Sequence, residues 1–495
     1  MSHETATAGG QPGRTVAFSG RQIAGIVGFL VCVELASGVL QGYYTPIYTD
    51  IARHLSINDA DVNWFEAAQL MVSALVLPLL ARLGDLIGHR RVLLLSTVVT
   101  AVASWGVAVA PTFWTFLVAW AIQGFYVVWL PMEVAIIYRR TSGDERRTRA
   151  AASVLVAALE LGVIAAALAS GALSGLIGMT GLLALPAVVV TLAWFAIYFG
   201  VPHVPVAASG RVDWPGFWLV TAAIGIVMAG LMVLRLEGPG SLWPWLVLLV
   251  GAAAFVPFAR VELRAANPLV DLRVLGAPTQ WPIQLTAALI GASLLGAQIP
   301  LSTFARTDPA VTGYGLGVSA ATMSYVIGGY VFSLAVGALL LPVIARPIGP
   351  RWTLALGASL VALGYLLFLP FHGSLLQVLA NMVVAGIGSG ALVAALPAAA
   401  SVEAPPTHTG FVTGMTNATK TLGGAIASSV YAIALSATGS IDTEGSVHAP
   451  LGGYMTVWAI CGGTALVAAA TLAVRAGRGA ANAARAEAGG VVAAG

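Results

Sequence analysis

Three ionisable side chains stand in runs of sequence that are otherwise apolar or small. Glu34 lies in "GIVGFLVCVELASGVL", Glu160 in "SVLVAALELGVIAAAL" and Lys420 in "GMTNATKTLGGAIASS". Lys420 is the only lysine in the chain; every other basic residue is an arginine. A charged residue at the centre of a membrane helix costs about 2.5–3.5 kcal/mol on insertion scales, and such residues line cavities or pair with one another. The chemistry that fits is movement of charge. A carboxyl group kept from water can hold a proton until a change of access exposes it. A lysine is a point charge that a buried site can switch off, which an arginine is not. No metal-ligand cluster, phosphate loop or nucleophile motif appears, and "GYGLG" and "GIGSG" are lone glycine patterns in or beside apolar runs. An enzyme is therefore not expected, nor is a cofactor or a bound metal.

The neighbours of the three residues at helical spacing are small or polar. Ser37, Gly38 and Gln41 follow Glu34 at i+3, i+4 and i+7, which puts all four on one helix face. Ser153, Ala167 and Ser174 recur at sevens around Glu160. Lys420 shares its face with Thr413, Thr416, Asn417 and Gly424. Two placements stay open for it: facing a central cavity, where it balances Glu34 or Glu160, or snorkelling to the headgroups. Gln41, Tyr44, Gln123, Asn381 and Asn417 are candidate cavity-lining residues. Glu66 and Glu133 fall nearer helix ends and read as interfacial, with Trp129 and Pro131 distorting the helix beside Glu133.

The elements that must position these residues follow from composition. The chain has 495 residues, 58% hydrophobic and 9% charged, against about 25% charged in a soluble domain. This is the composition of an integral membrane protein. Runs long enough to span a bilayer begin near Arg21, Asn63, Val92, Phe113, Ala150, Thr180, Trp214, Leu242, Trp281, Ser319, Trp352, Leu375, Gly410 and Leu451, which makes fourteen. With both termini cytoplasmic, only Arg53, Arg235 and Arg306 fall on the outer side and every other arginine falls inside, a strong positive-inside bias. The first 20 residues lack the apolar core of a cleavable signal. Cys32 and Cys461 sit in separate apolar runs, where they read as small core residues rather than a disulfide pair. The connections are short, and their arginines read as topology anchors rather than a nucleic-acid surface.

The loop after the second run, "ARLGDLIGHRRVLLL", and the loop after the tenth, "ARPIGPRWTLALG", repeat a G-x-R step at corresponding points of two six-helix sets. Such repeats are common in secondary transporters, with the substrate site near the midplane between them. The chain resembles the major facilitator superfamily at this point, specifically its fourteen-helix drug/proton antiporter branch. "ARLGDLIGHRR", "AIQGFYVVWLP", "VELRAANPLVDLRVL" and "GMTNATKTLGGAIASS" carry the resemblance, which spans about residues 20–475. It implies a latch role for the loop residues Asp85, Gly88 and Arg90, with Asp85 facing a helix N-terminus or the arginines that follow it. It also implies proton or cation handling at Glu34, and a cation kept at Lys420 where the family usually has arginine. Departures are Ala81, Leu86 and His89 in the loop motif, Trp120 in place of an arginine, and Ala166 and Ala167 in place of Gly-Pro.

The expected architecture is an all-α membrane protein of the major facilitator fold: two six-helix halves, residues 21–200 and 279–475, joined by two extra helices and a link over 201–278. Cytoplasmic tails cover 1–20 and 476–495. The expected function is secondary active transport, proton-coupled efflux of a lipophilic or amphipathic small molecule, by a monomer in the cell membrane, with Glu34 and Glu160 as the proton-coupling carboxyls. The alternatives are a uniporter or importer without proton antiport, which the departures at Trp120 and Ala166–Ala167 favour, and a transport-incompetent scaffold.

Overall fold

The structure, a computed structural model, describes residues 20–492 apart from 142–143, 203–210, 267, 406–407 and 437–447. The expected N-terminal tail with Arg14 lies outside the described residues. The described residues are helical throughout, with one isolated bridge between Ser174 and Ile177.

The long helices are α1 (Gly20–Gly42), α2 (Val62–Ile87), α3 (His89–Val109), α4 (Phe113–Arg140), α5 (Glu145–Leu173), α6 (Met179–Gly200), α7 (Trp214–Glu237), α8 (Trp243–Glu262), α9 (Trp281–Arg306), α10 (Ala320–Ile348), α11 (Pro350–Leu367), α12 (Leu375–Val402), α13 (Thr409–Leu435) and α14 (Leu451–Val492). Their starts lie within a few residues of those read from the sequence. Thirteen of the helical segments are long and apolar enough to cross a membrane, α13 being the exception. It has the length, 27 residues. It lacks the apolarity because it carries Thr416, Asn417, Thr419, Lys420 and Thr421. Large apolar side chains such as Val102, Leu161 and Leu249 point outward instead, on the faces that lipid would cover.

Two helices are irregular. In α4 the turn Gly124–Val128 tightens to 3-10 geometry just before Trp129. Pro131 has no N–H for the Val127 carbonyl, so the ladder loses a rung there. In α9, Ala292–Gly296 widens to a π turn, and tyrosine hydroxyls take two of its carbonyls: Tyr365 donates to Ser293 at 2.6 Å and Tyr431 to Ala292 at 3.3 Å. Gly88, with φ of 103°, ends α2, and Gly349, with φ of 82°, ends α10. The repeated loops seen in the sequence are thus the same left-handed turn made twice.

Helices α1–α6 share one hydrophobic core and α9–α14 another. The halves meet where α2 packs on α13 and α5 on α10. The extra hairpin α7–α8 lies at the edge of this seam, with Ile224, Met228 and Leu231 of α7 against Trp64 and Leu75 of α2 and Ala432 of α13. Backbone contact holds the critical helix pairs. A side chain at Gly38 would run into the Leu159 carbonyl of α5, and one at Gly423 into the Ala288 carbonyl of α9. Gly38→Val and Gly423→Val should therefore each destabilise by at least about 1–3 kcal/mol, because backbone cannot yield as a flexible side chain can. Gly25→Val, with open space around it, should leave the thermal midpoint in detergent unchanged. A midpoint equal to wild type at Gly38 or Gly423 would contradict the close approach.

Candidate functional site

The polar face of α13 is divided between two partners. On one side Gln284 of α9 donates to Thr416 at 3.1 Å and accepts from Thr419 at 3.3 Å. Those bonds fix the rotation of α13. Lys420 then projects toward the opposite half, where it interacts electrostatically with Glu160 of α5. Both side chains are partly exposed, and among the described residues no direct ion pair joins them. Opposite charges thus face one another across the seam between halves. Gln284, which anchors this arrangement, is read from the sequence as one more polar residue in an apolar run, and nothing local marks it.

Glu34 has a different environment. It is wholly buried on α1, and its carboxyl meets that of Glu133 on α4, also wholly buried. No donor from the described residues reaches any of the four oxygens. The interfacial placement expected for Glu133 is thereby corrected: the 3-10 turn and Pro131 swing α4 so that this position faces α1. Trp129, one turn before it, and Met132 are buried as well. Tyr126, one turn before Trp129, is electrostatically linked to Glu34 and to Glu66 of α2.

Three of the candidate lining residues are packed away. Tyr44 and Gln123 are buried together, with Gln123 Nε2 donating to the Tyr44 hydroxyl at 3.1 Å and to Ser104 at 3.0 Å. Trp120 completes that site, its ring 4.4 Å from Tyr44 and 5.5 Å from Phe116. An aromatic cluster therefore fills the place where the resemblance led one to look for an arginine. Asn381 is buried and donates to the Phe371 carbonyl at 2.7 Å, which uses it as a helix-end clamp. Gln41 is exposed and bonded to Ser37 at 3.2 Å, and Asn417 is half-buried on α13.

The two ends of the bundle differ. At the arginine-poor end the halves are tied together. Arg306 of α9 reaches Asp50 at 2.8 Å and the Pro46 carbonyl at 3.3 Å, and Ser302 donates to the Thr45 carbonyl at 2.5 Å. His448 stands 3.5 Å from Asp59, and Ser428 donates to the Asn63 carbonyl at 2.9 Å. The three arginines assigned to this side each meet an aspartate, with Arg53 also on Asp50 at 3.5 Å and Arg235 on Asp61 at 3.1 Å. Tyr314 donates to the Ala449 carbonyl, and burial pushes its phenol up to about 12, so it stays a donor at any physiological pH.

At the arginine-rich end the arginine ion pairs seen stay within a half, and His408 stands 3.8 Å from Asp271 of the link. Asp85 meets Arg139 and His89, each at 3.4 Å. Arg90 is turned away from Asp85 and donates to the Tyr198 carbonyl at 2.8 Å and to that of Val201, at the end of α6. Free carbonyls at a helix C-terminus attract a cation, and Arg90 follows them. This corrects the expected pairing of Asp85 with the arginines that follow it. Glu403 collects Arg351 at 3.3 Å and Arg475 at 2.9 Å, a counterpart of the Asp85 cluster in the other half.

Residues 30–307 and again 283–493 match the family model described as the Major Facilitator Superfamily. Among curated relatives, the cephamycin export protein CmcT of Amycolatopsis lactamdurans is 29% identical over 81% of this chain and 82% of its own length. The lincomycin resistance protein of Streptomyces lincolnensis is 26% identical over 76% of each. A crystal structure of a POT family transporter in complex with a thioalcohol-conjugated peptide superposes with a TM-score of 0.68 at 17% identity, covering 92% of this chain and 96% of that one. At that identity the likeness is one of fold.

The contacts at the arginine-poor end generate a direct test. Ala60 is fully buried there against the core of the opposite half, so a cysteine at Ala60, with Cys32 and Cys461 replaced, reports opening. Asp50→Asn removes the charge that Arg306 answers. A hydrogen bond to a charged group is worth about 1.5–3 kcal/mol, so thiol labelling should speed up roughly tenfold or more. Unchanged labelling would mean that this pair does not hold the end shut.

Proposed function

The chain belongs to the Major Facilitator Superfamily, so it is a multi-pass membrane transporter rather than an enzyme, and on that premise we propose that it exports a lipophilic or amphipathic small molecule against a proton gradient by alternating access. The observation that carries this reading is the electrostatic interaction of Glu160 and Lys420 across the seam, both partly exposed, in a bundle tied shut at one end. Opposite charges on separate halves attract in one arrangement and are parted by a bound molecule or by protonation of the glutamate in another. That gives the two states of a transport cycle a free-energy difference which substrate and protons can each bias.

Glu34 and Glu160 are the carboxyls that take up protons on the outer side and give them up inside. The arginine distribution places the arginine-rich end and both termini in the cytoplasm, in the cell membrane. Residues 21–200 and 279–475 move as the two halves, with 201–278 as their link, in a monomer. Asp85, Gly88 and Arg90 act as the latch of the inner end. The names of two relatives, an export protein and a resistance protein for antibiotics, support export of a natural product. The driving force suffices: about 2.3 kcal/mol per charge per 100 mV, at about 1.4 kcal/mol per tenfold, sustains roughly a fiftyfold gradient of a neutral substrate.

One observation favours a second reading. Trp120 and its aromatic neighbours occupy the place of the family's helix 4 arginine, and a transporter without that cation could work as a uniporter. Proteoliposomes holding a pH-sensitive dye under an imposed pH gradient separate the two. Lipophilic cations and neutral amphiphiles added singly should drive proton movement in wild type, and Glu34→Gln or Glu160→Gln should abolish it while leaving folded protein. Downhill substrate flux without proton movement in wild type would leave the uniporter, and uphill accumulation surviving in both variants would contradict the assignment of these two carboxyls.

A further inference from the structure

Glu34 and Glu133 come from different helices and meet where water does not reach. Each has no accessible surface. Their helices pack together, the two carboxyl groups interact, and among the described residues none of the four oxygens has a hydrogen-bond donor. Two charges about 4 Å apart interact by about 4 kcal/mol at an effective dielectric of 20, so two bare carboxylates would drive α1 and α4 apart. A hydrogen bond between carboxyl groups also requires an O–H on one of them, since a carboxylate only accepts. The remaining ionisable groups around the pair do not relieve it. Tyr126 of α4 is electrostatically linked to Glu34 and to Glu66 of α2. Glu160 of α5 is turned to Lys420. Helix α3 carries no titratable side chain beyond Arg91, and the one tyrosine of α6, Tyr198, is exposed.

We infer that Glu34 and Glu133 form a single proton-binding site, a carboxyl dyad that never loses its last proton and exchanges one further proton in each cycle. In the monoanion, the protonated carboxyl donates its O–H to the ionised one. When the site opens, water delivers a proton to the free carboxylate and the pair becomes neutral; the reverse step returns that proton to water. No dianion forms, so the site contributes one proton per cycle rather than two. This rests on the proton-coupled reading above and deepens it by making Glu133 the partner of Glu34. The feature that builds the dyad is the stretch "GFYVVWLPME", whose 3-10 turn and proline aim Glu133 inward.

Infrared spectroscopy of the full-length protein in lipid nanodiscs, titrated with pH, reads the C=O stretch of a protonated carboxyl directly and needs no substrate. The expected result is a hydrogen-bonded carboxyl band that moves in Glu34→Gln and equally in Glu133→Gln. In each variant the surviving carboxyl has an amide in place of its carboxyl partner, so its C=O stretch changes frequency. Glu133→Asp should keep the band at a shifted frequency and Glu160→Gln should keep it unshifted, with folding verified by size-exclusion profile. A carboxyl band left unmoved by Glu133→Gln in folded protein, or separate bands that each move in only one of the two variants, would overturn the dyad. Proton flux measured on the same preparations separates the two proposals. A shared band without flux retains the dyad and retires the coupling. Flux and band both untouched in Glu133→Gln retire the dyad and keep the coupling.

Discussion

Charge and hydrogen-bonding capacity placed inside a hydrocarbon layer must be answered by the protein itself, and the rest of this structure depends on how that is done. Interhelical hydrogen bonds in membranes are worth roughly 0.6–2 kcal/mol, so no single bond here is decisive. The answers are distributed instead. Gln284 serves Thr416 and Thr419, Gln123 serves Tyr44 and Ser104, and tyrosine hydroxyls cover the opened π turn of α9. Among the charges these bonds leave over are Lys420 facing Glu160 across the seam and Glu34 facing Glu133 within one half. The least apolar long helix, α13, is tolerated because α2, α9 and α12 cover it.

The asymmetry of the two ends follows the same logic. At the arginine-poor end, aspartates sit where arginines of the other half or of the extra hairpin can reach them, and those contacts cross between units. At the arginine-rich end, Asp85 and Glu403 gather arginines of their own half, and Arg90 caps α6. Pairs within a half survive a rigid-body rocking of one half against the other, whereas pairs across halves must break. The first end is therefore the one that the present arrangement holds closed.

Much of the architecture was legible in the residues because hydrophobic length and arginine bias are summed over many positions. The fourteen starts, the glycine turn at Gly88 and the pairing of repeated loops come from such sums. The site was legible only in part. Glu160 and Lys420 stand out as charges in apolar runs, and the structure brings them together. Glu133 did not stand out, because five residues of 3-10 helix change which way a helix faces and periodicity counted from a regular helix misplaces everything beyond. Tyr44, Gln123 and Asn381 suggest a cavity lining by polarity alone; in the structure they satisfy one another or a free carbonyl. Polarity in a membrane span marks a need for partners, and sequence spacing does not say whether those partners are protein or water.

The central claim is that Glu160 and Lys420 act as one element that couples the halves, and spin-label distances test it most directly. Labels at Leu176 and Val311, exposed residues of opposite halves at the arginine-poor end, report how far that end is closed. Coupling through one element predicts that Glu160→Gln and Lys420→Gln each shift the distance distribution to a similar degree, and that the double variant matches the singles. A distribution unchanged in both single variants, or shifts that simply add in the double variant, would contradict it.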